Sequence, residues 1–205
     1  MSEVKNIPQL RFPLFSDEWK KKRFSDFISY TKGFAFKSND YQNEGERIVR
    51  VSDLGYDSIK SSNGIYFDNS KVHSVEKYLI QEGDIIVTTV GSRPELIDSS
   101  VGRGILVRKN GEGFLNQNLV KINETERINN RFLFGFFNTK KYFNYITQIQ
   151  RGNANQSNIT LKDFFNYQVN IPSLTEQQKI ADFLTAVDKR IELLEKKMTL
   201  LETYK

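Results

Sequence analysis

The chain has 205 residues, with 30 Lys plus Arg against 25 Asp plus Glu and a formal charge of +5. It holds no cysteine and one histidine, His73. This excludes a disulfide framework, a Cys-ligated zinc site, a thiol nucleophile, a multi-histidine metal centre and a two-histidine relay.

No apolar run follows Met1–Lys5, so no signal peptide is visible, and no window approaches the roughly 18 apolar residues of a membrane span. The expectation is a soluble, cytoplasmic protein. Residues 1–23 are polar, punctuated by Pro8 and Pro13, and end in Lys20-Lys21-Lys22-Arg23. From Phe24 to about Asn123 the pattern predicts strands and turns. Arg47 to Val51 alternates and is β-branched. Gly83-Asp84 turns into the apolar run Ile85 to Val90, which reads as a buried strand. Gly102–Val107 and Leu119–Ile122 are further strand candidates. Together these predict a mixed, irregular sheet.

Helical spacing begins near Asn129, with Phe132, Leu133, Phe136 and Phe137, then Tyr142, Phe143, Ile146 and Ile149. Core packing is the favoured role for these aromatics over base stacking. Gly152 stands where that helix is expected to stop, and 152–157 reads as a loop. Val169–Ile171 forms a short apolar stretch.

The last segment is the clearest. Ser173-x-x-Glu176 reads as a capping box, in which Glu176 reaches back to the cap amide. Apolar residues then fall at Ile180, Leu184, Val187, Ile191, Leu194, Met198 and Leu201, alternating steps of four and three. This is a heptad seam. A helix of about 30 residues is about 45 Å long. It outgrows the domain, so much of the seam calls for a partner helix rather than the chain's own domain. With Ile180 and Val187 at d positions, e holds Ala181, Asp188, Glu195 and Glu202, while g holds Phe183, Arg190, Lys197 and Tyr204. An antiparallel homodimer would then pair like charges, a mild penalty of about 0.2–1 kcal/mol per exposed pair.

The charge is uneven. Residues 173–205 carry 6 basic and 6 acidic groups, so the excess belongs wholly to residues 1–172. Arg127 to Lys162 has six basic residues, no acid and many side-chain amides. Lys and Arg neutralise phosphates, and Asn and Gln can bond an adenine edge. On composition alone, a solvated Asn-rich face is an equally good reading.

Catalytic signatures are missing. None of the four prolines follows Asn or Asp, so the amino-methyltransferase motif is absent. There is no Gly-Lys-Ser/Thr phosphate loop and no Pro-Asp nuclease pair, and Gly102-x-Gly104 lacks a third glycine. Asp98-Ser99-Ser100 has no imidazole near it in sequence. His73 reads as a surface histidine.

Several segments resemble one family, the specificity subunits of Type I restriction-modification systems. They are Pro8 to Trp19, Gly83-Asp84-Ile85-Ile86, Asn116-Gln117-Asn118-Leu119-Val120, the loop Gly152 to Ile159, and Ile171-Pro172-Ser173-Leu174-Thr175-Glu176-Gln177-Gln178-Lys179-Ile180. The last, joined to a heptad helix, is the most specific. The resemblance implies an α+β fold: a DNA-binding target-recognition domain over residues 1–172 and a long spacer helix over 173–205. It implies a non-catalytic subunit that reads one half of a split double-stranded DNA target. Modification and restriction subunits would supply the S-adenosylmethionine, ATP and magnesium chemistry, and this chain would hold no metal or cofactor. Members of the family carry two such units with antiparallel helices, whereas this chain has one. The expectation is a natural half that dimerises or a fragment of a longer subunit. The end at Tyr204-Lys205 looks more like a truncation within a helix.

Phosphate contacts are expected from Lys20, Lys21, Lys22, Arg23, Lys32, Lys37, Lys140, Lys141 and Arg151. Base readout is expected from Arg93, Arg103, Asn153, Asn155 and Gln156. These choices rest on residue type and loop context. The rival reading is a protein-interaction adaptor whose helix scaffolds other subunits without reading bases.

Overall fold

The structure, a computed structural model, describes residues 7–96, 100–152 and 156–203. In chain order its elements are β1 (Lys20–Arg23), β2 (Ser29–Lys32), β3 (Glu46–Val49), β4 (Ile65–Phe67), α1 (Val72–Val75), β5 (Ile85–Thr88), β6 (Val90–Gly91), β7 (Gly104–Leu106), β8 (Phe114–Leu115) and β9 (Leu119–Asn123). There follow α2 (Asn130–Phe137), α3 (Lys140–Ile149), β10 (Arg151–Gly152), β11 (Ser157–Asn158), α4 (Leu161–Phe165), β12 (Gln168–Ile171) and α5 (Leu174–Thr203). Short 3-10 turns join several of them. The mixed, irregular character expected from the sequence is what the chain forms.

The central sheet has the order β2-β9-β5-β7 and is antiparallel throughout. Smaller sheets surround it: β4-β3-β8, β10-β11-β6 and the pair β1-β12. Strand β5 explains why its sequence is continuously apolar. Successive side chains point to opposite faces, and here both faces are covered. Ile85 and Val87 pack with Phe24, Phe132, Leu133, Phe137, Ile146 and Phe164. Ile86 points the other way, against Val49, Leu54, Ile80, Ile105 and Leu115. Strand β7 begins with a glycine for a steric reason: a Cβ at Gly104 would lie 2.3 Å from a ring carbon of Phe137 on α2.

The helical region breaks between α2 and α3. Asn129 Oδ1 accepts from Phe132 N at 3.0 Å, and Thr139 Oγ1 accepts from Tyr142 N at 3.2 Å, so each helix has its own N-cap. The expected stop at Gly152 is corrected: α3 ends at Ile149, and Gly152 lies in β10. Its φ of +119° and the 2.2 Å gap from a would-be Cβ to Gln156 O make glycine necessary there. The favoured core role of the aromatics holds for Phe132, Phe137 and Tyr142, which are buried, while Phe143 is exposed.

The root of α5 departs from the expected capping box. Ser173 Oγ does accept from Glu176 N, at 3.4 Å. The Glu176 carboxylate instead turns inward. Arg11 Nε and Nη2 donate to it at 2.7 and 2.6 Å, and Trp19 Nε1 donates at 3.2 Å. Gln177 is buried beside it. Its Oε1 accepts from Asn129 N at 3.0 Å, and its Nε2 donates to Pro172 O at 3.1 Å. Farther along, Asp188 takes Arg131 and, at 3.6 Å, Arg108, while Arg108 also pairs with Glu192 at 3.5 Å.

The seam is therefore shared between two environments. Ile180 packs on the main core and Leu184 is half-buried. Val187, Ile191, Leu194, Met198 and Leu201 are exposed on this chain, Val187 at 38% and Leu201 at 58%. The e positions also need correcting. Ala181 is buried, and Asp188 is neutralised within the chain, so neither is free to face a partner as the heptad charge argument assumed.

Candidate nucleic-acid interface

Strand register gives the central sheet two unlike ends. At one end Ser29 lies opposite Asn123, and Ile85 lies opposite Ile122 and Leu106. This end meets the long helix: a depression there is lined by Glu82, Arg108, Glu124, Arg131, Asp188 and Glu192. At the other end Lys32 faces Val120, Val87 faces Gly104, and Thr88 faces Leu119. The loops issuing from this second end carry most of the residues expected to read DNA.

Three connections build that end. The turn Asn116–Asn118 is fastened by Thr89, whose N and Oγ1 both donate to Asn118 O, at 3.0 and 2.9 Å. The backbone of Gly33 passes so close that a Cβ would lie 2.0 Å from Asn116 O. The hairpin β10–β11 adds to β6, with Ser157 opposite Gly91, which brings Arg151 and Gln156 near the segment after β6 that bears Arg93. Finally Ser92 and Ser100 bridge, closing the loop that leads to Arg103. Lys32 and Arg103 thus belong to the same end of the central sheet, and the β10–β11–β6 pairing sets Arg151 and Gln156 beside the strand that leads to Arg93. Asn153 and Asn155 lie outside the described residues.

Beside these loops a cleft of about 400 Å³ opens between β7 and α3. Arg103, Lys140, Tyr56, Pro94 and Phe143 are among its lining residues. Tyr56 and Phe143 are exposed aromatics that sequence reasoning missed as site residues. The available signal for Tyr56 was a large ring in a polar Gly-Tyr-Asp turn, with no periodic apolar neighbours. Buried Tyr142 closes the floor, its hydroxyl donating to Gly102 O at 2.5 Å, and burial pushes its pKa well above the ordinary phenol value.

The remaining basic candidates form a second group. Lys20–Arg23 is a strand, β1, whose four residues are all exposed and whose partner is β12. Lys141 belongs with it, since its Nζ donates at 3.3 Å to the carbonyl of Gln168, the residue opposite Arg23. Lys140 and Lys141 thus stand side by side at the start of α3 yet serve different patches. Arg151 is partly tied, at 2.9 Å to Asp163. Arg131, from the acid-free stretch, faces the helix α5 and not solvent. Lys37 is exposed just before a 3-10 turn and is not joined to either group by a described bond. Among the described residues no group of three or more His, Asp or Glu is placed to hold a metal ion, and no helix is long and apolar enough to cross a membrane.

Comparison with known proteins gives the family and the fold. The family model for the Type I restriction modification DNA specificity domain matches residues 16–203. The chain belongs to this family. It is 22% identical, over its whole length, to 45% of the Type I restriction enzyme MjaVIII specificity subunit of Methanocaldococcus jannaschii. It is also 24% identical, over 76% of its length, to 27% of the EcoAI specificity subunit of Escherichia coli. The fold matches the S subunit from M. genitalium with a TM-score of 0.60, at 18% identity, covering 94% of this chain and 44% of that one. The HsdS subunit from Thermoanaerobacter tengcongensis gives a TM-score of 0.56 at 18% identity, over 95% of this chain and 42% of that one. The chain spans less than half the length of these relatives.

Within this specificity domain the segments that carried the resemblance do structural work. Asn116–Asn118 locks two loops together. At Gly83 (φ +89°) the chain turns so that Asp84 caps Gln81 N at 2.8 Å and pairs with Lys121 at 3.4 Å. Glu176 and Gln177 weld the long helix to the domain.

Proposed function

We propose that the chain is the recognition component of a Type I restriction-modification complex and reads one half of a split double-stranded DNA target. The observation that supports it is the two-ended sheet. Cationic and amide side chains collect on the loops at one end, while the other end is clamped to a rod. A reader and a spacer need this separation, because a rod rising from the reading end would block the duplex. Base edges then meet Arg93, Arg103 and Gln156, and phosphates meet Lys32, Lys140 and Arg151. The β1 cations and Lys141 extend the basic surface toward the flanking backbone.

The seam from Val187 outward takes a second helix, from another copy of this chain or from the second half of a longer subunit. The chain supplies no catalytic group in this reading. Modification and restriction subunits dock on it and carry the S-adenosylmethionine, ATP and magnesium chemistry.

The test is binding of the full chain to duplex DNA over a range of salt. Each phosphate neutralised contributes about 0.9 to the slope of log affinity against log salt. Replacing Lys140 and Lys141 by Ala therefore flattens the slope by about 1.8 and weakens all sequences alike. An unchanged slope and affinity refutes the assigned surface. In cells that supply a modification subunit, methylation at a defined split site should appear only when this chain is present.

A further inference from the structure

We infer that Arg103 is a pre-oriented guanine-reading side chain and that Tyr56 and Ser100 are the residues that position it. The inference rests on the half-site reading above and names a base and a mechanism within it. Arg103 Nε donates to Ser100 Oγ at 3.2 Å, and Nη1 donates to Tyr56 O at 2.7 Å. The guanidinium lies over the Tyr56 ring, 5.0 Å from its centroid, and that ring is 66% exposed. Both hydrogen-bond acceptors are neutral, so neither bond cancels the charge. The Nη2 edge of the fork is not used by these two bonds.

The support beneath is rigid. Thr88 is a fully buried hydroxyl in an otherwise apolar strand. Its Oγ1 donates to Ser100 O at 2.5 Å and accepts from Arg103 N at 3.1 Å, pinning both ends of the 100–103 turn. A buried polar group in a core strand requires such partners. Here they fix the arm that carries the fork.

Among the described residues these bonds use the Nε hydrogen and one Nη1 hydrogen, so Nη1 and Nη2 together still offer a pair of donors at the cleft, which suits the paired acceptors O6 and N7 of guanine in the major groove. A phosphate can also take a guanidinium two-prongedly, so a 7-deazaguanine scan, which leaves every phosphate intact, is what separates base from backbone. Holding the side chain beforehand lowers the entropy lost on contact.

The experiment selects the site bound by the full chain from randomised duplexes. Each guanine of the selected duplex is then replaced in turn by 7-deazaguanine, which lacks the N7 acceptor. Wild-type protein should lose roughly 5- to 150-fold in affinity at one guanine. Arg103→Ala and Arg103→Lys should bind the normal and the modified duplex equally at that position. Tyr56→Ala should show a reduced discrimination there, and Tyr56→Phe, which keeps ring and carbonyl, should restore it. If wild-type protein selects a site but Arg103→Ala and Arg103→Lys keep its full 7-deaza discrimination, this inference falls alone. A flat 7-deaza scan also defeats it. If wild-type protein captures no duplex, the half-site reading falls and takes this inference with it.

Discussion

Gln177 is the sharpest place to test how the rod is held. Its side chain is 1% exposed and serves two backbone groups, the Asn129 amide at 3.0 Å and the Pro172 carbonyl at 3.1 Å, with a longer contact to Arg127 O at 3.4 Å. Gln177→Ala removes the partner of both backbone groups. An orphaned buried polar group costs about 1–3 kcal/mol. The Pro172 carbonyl is fully enclosed and the Asn129 amide only partly, so the sum is about 2–4 kcal/mol. For a chain of this size each kcal/mol moves the melting temperature by about 2–4 °C, so the variant should melt on the order of 10 °C lower. Thermal melts followed by circular dichroism read this directly. Gln177→Glu adds a discriminating arm. It keeps an acceptor for Asn129 but sets a carboxylate oxygen against Pro172 O, and should be no better than Ala. A Gln177→Ala protein melting within 1 °C of wild type would mean that these bonds do not hold α5 to the domain.

Three further outcomes follow from particular contacts. Val187→Glu plus Leu194→Glu alters side chains that are exposed on the single chain, so the fold should persist while any helix-paired dimer dissociates; light scattering that still shows a dimer would remove the seam as its interface. Gly104→Ala drives a Cβ into the Phe137 ring and should cost about 1–3 kcal/mol, read by urea denaturation with far-UV detection. Tyr142 has a raised folded pKa, caused first by burial, so its contribution is intact below the unfolded phenol value of 10.0 and is lost as pH rises beyond it. Melts between pH 8 and 11 should therefore steepen at the alkaline end, and Tyr142→Phe should make the decline shallower.

The sequence discloses those features whose cause is local or periodic. The α5 seam is legible because alternating four- and three-residue steps can only line one helix face. The strand Ile85–Thr88 is legible because a short β-branched run between turns has few other uses. Local patterns mislead where a distant partner competes. Glu176 has the spacing of a capping residue, yet Arg11, 165 positions away, offers a two-pronged cation and wins the carboxylate. Asp188 has the spacing of a partner-facing charge, yet Arg131 reaches it first.

The end proposed to read DNA was the least legible part, for a topological reason. Arg103 and Tyr56 are 47 residues apart, and the loops that bear Arg93 and Arg151 are brought together by the pairing of β11 with β6. Residue type marked the cations but not the ring that orients one of them, because a solitary loop tyrosine carries no period. The segments that carried the resemblance serve the scaffold of this chain. Glu176 and Gln177 bond the Arg11 cation and backbone groups, and Asn118 O takes two bonds from Thr89. On the half-site reading proposed above, Arg93, Arg103 and Gln156 would be the positions at which the target changes, while Glu176 and Gln177 keep the rod in place. It follows that Arg103 should be replaceable with little loss of stability, while its support, Thr88, should not be.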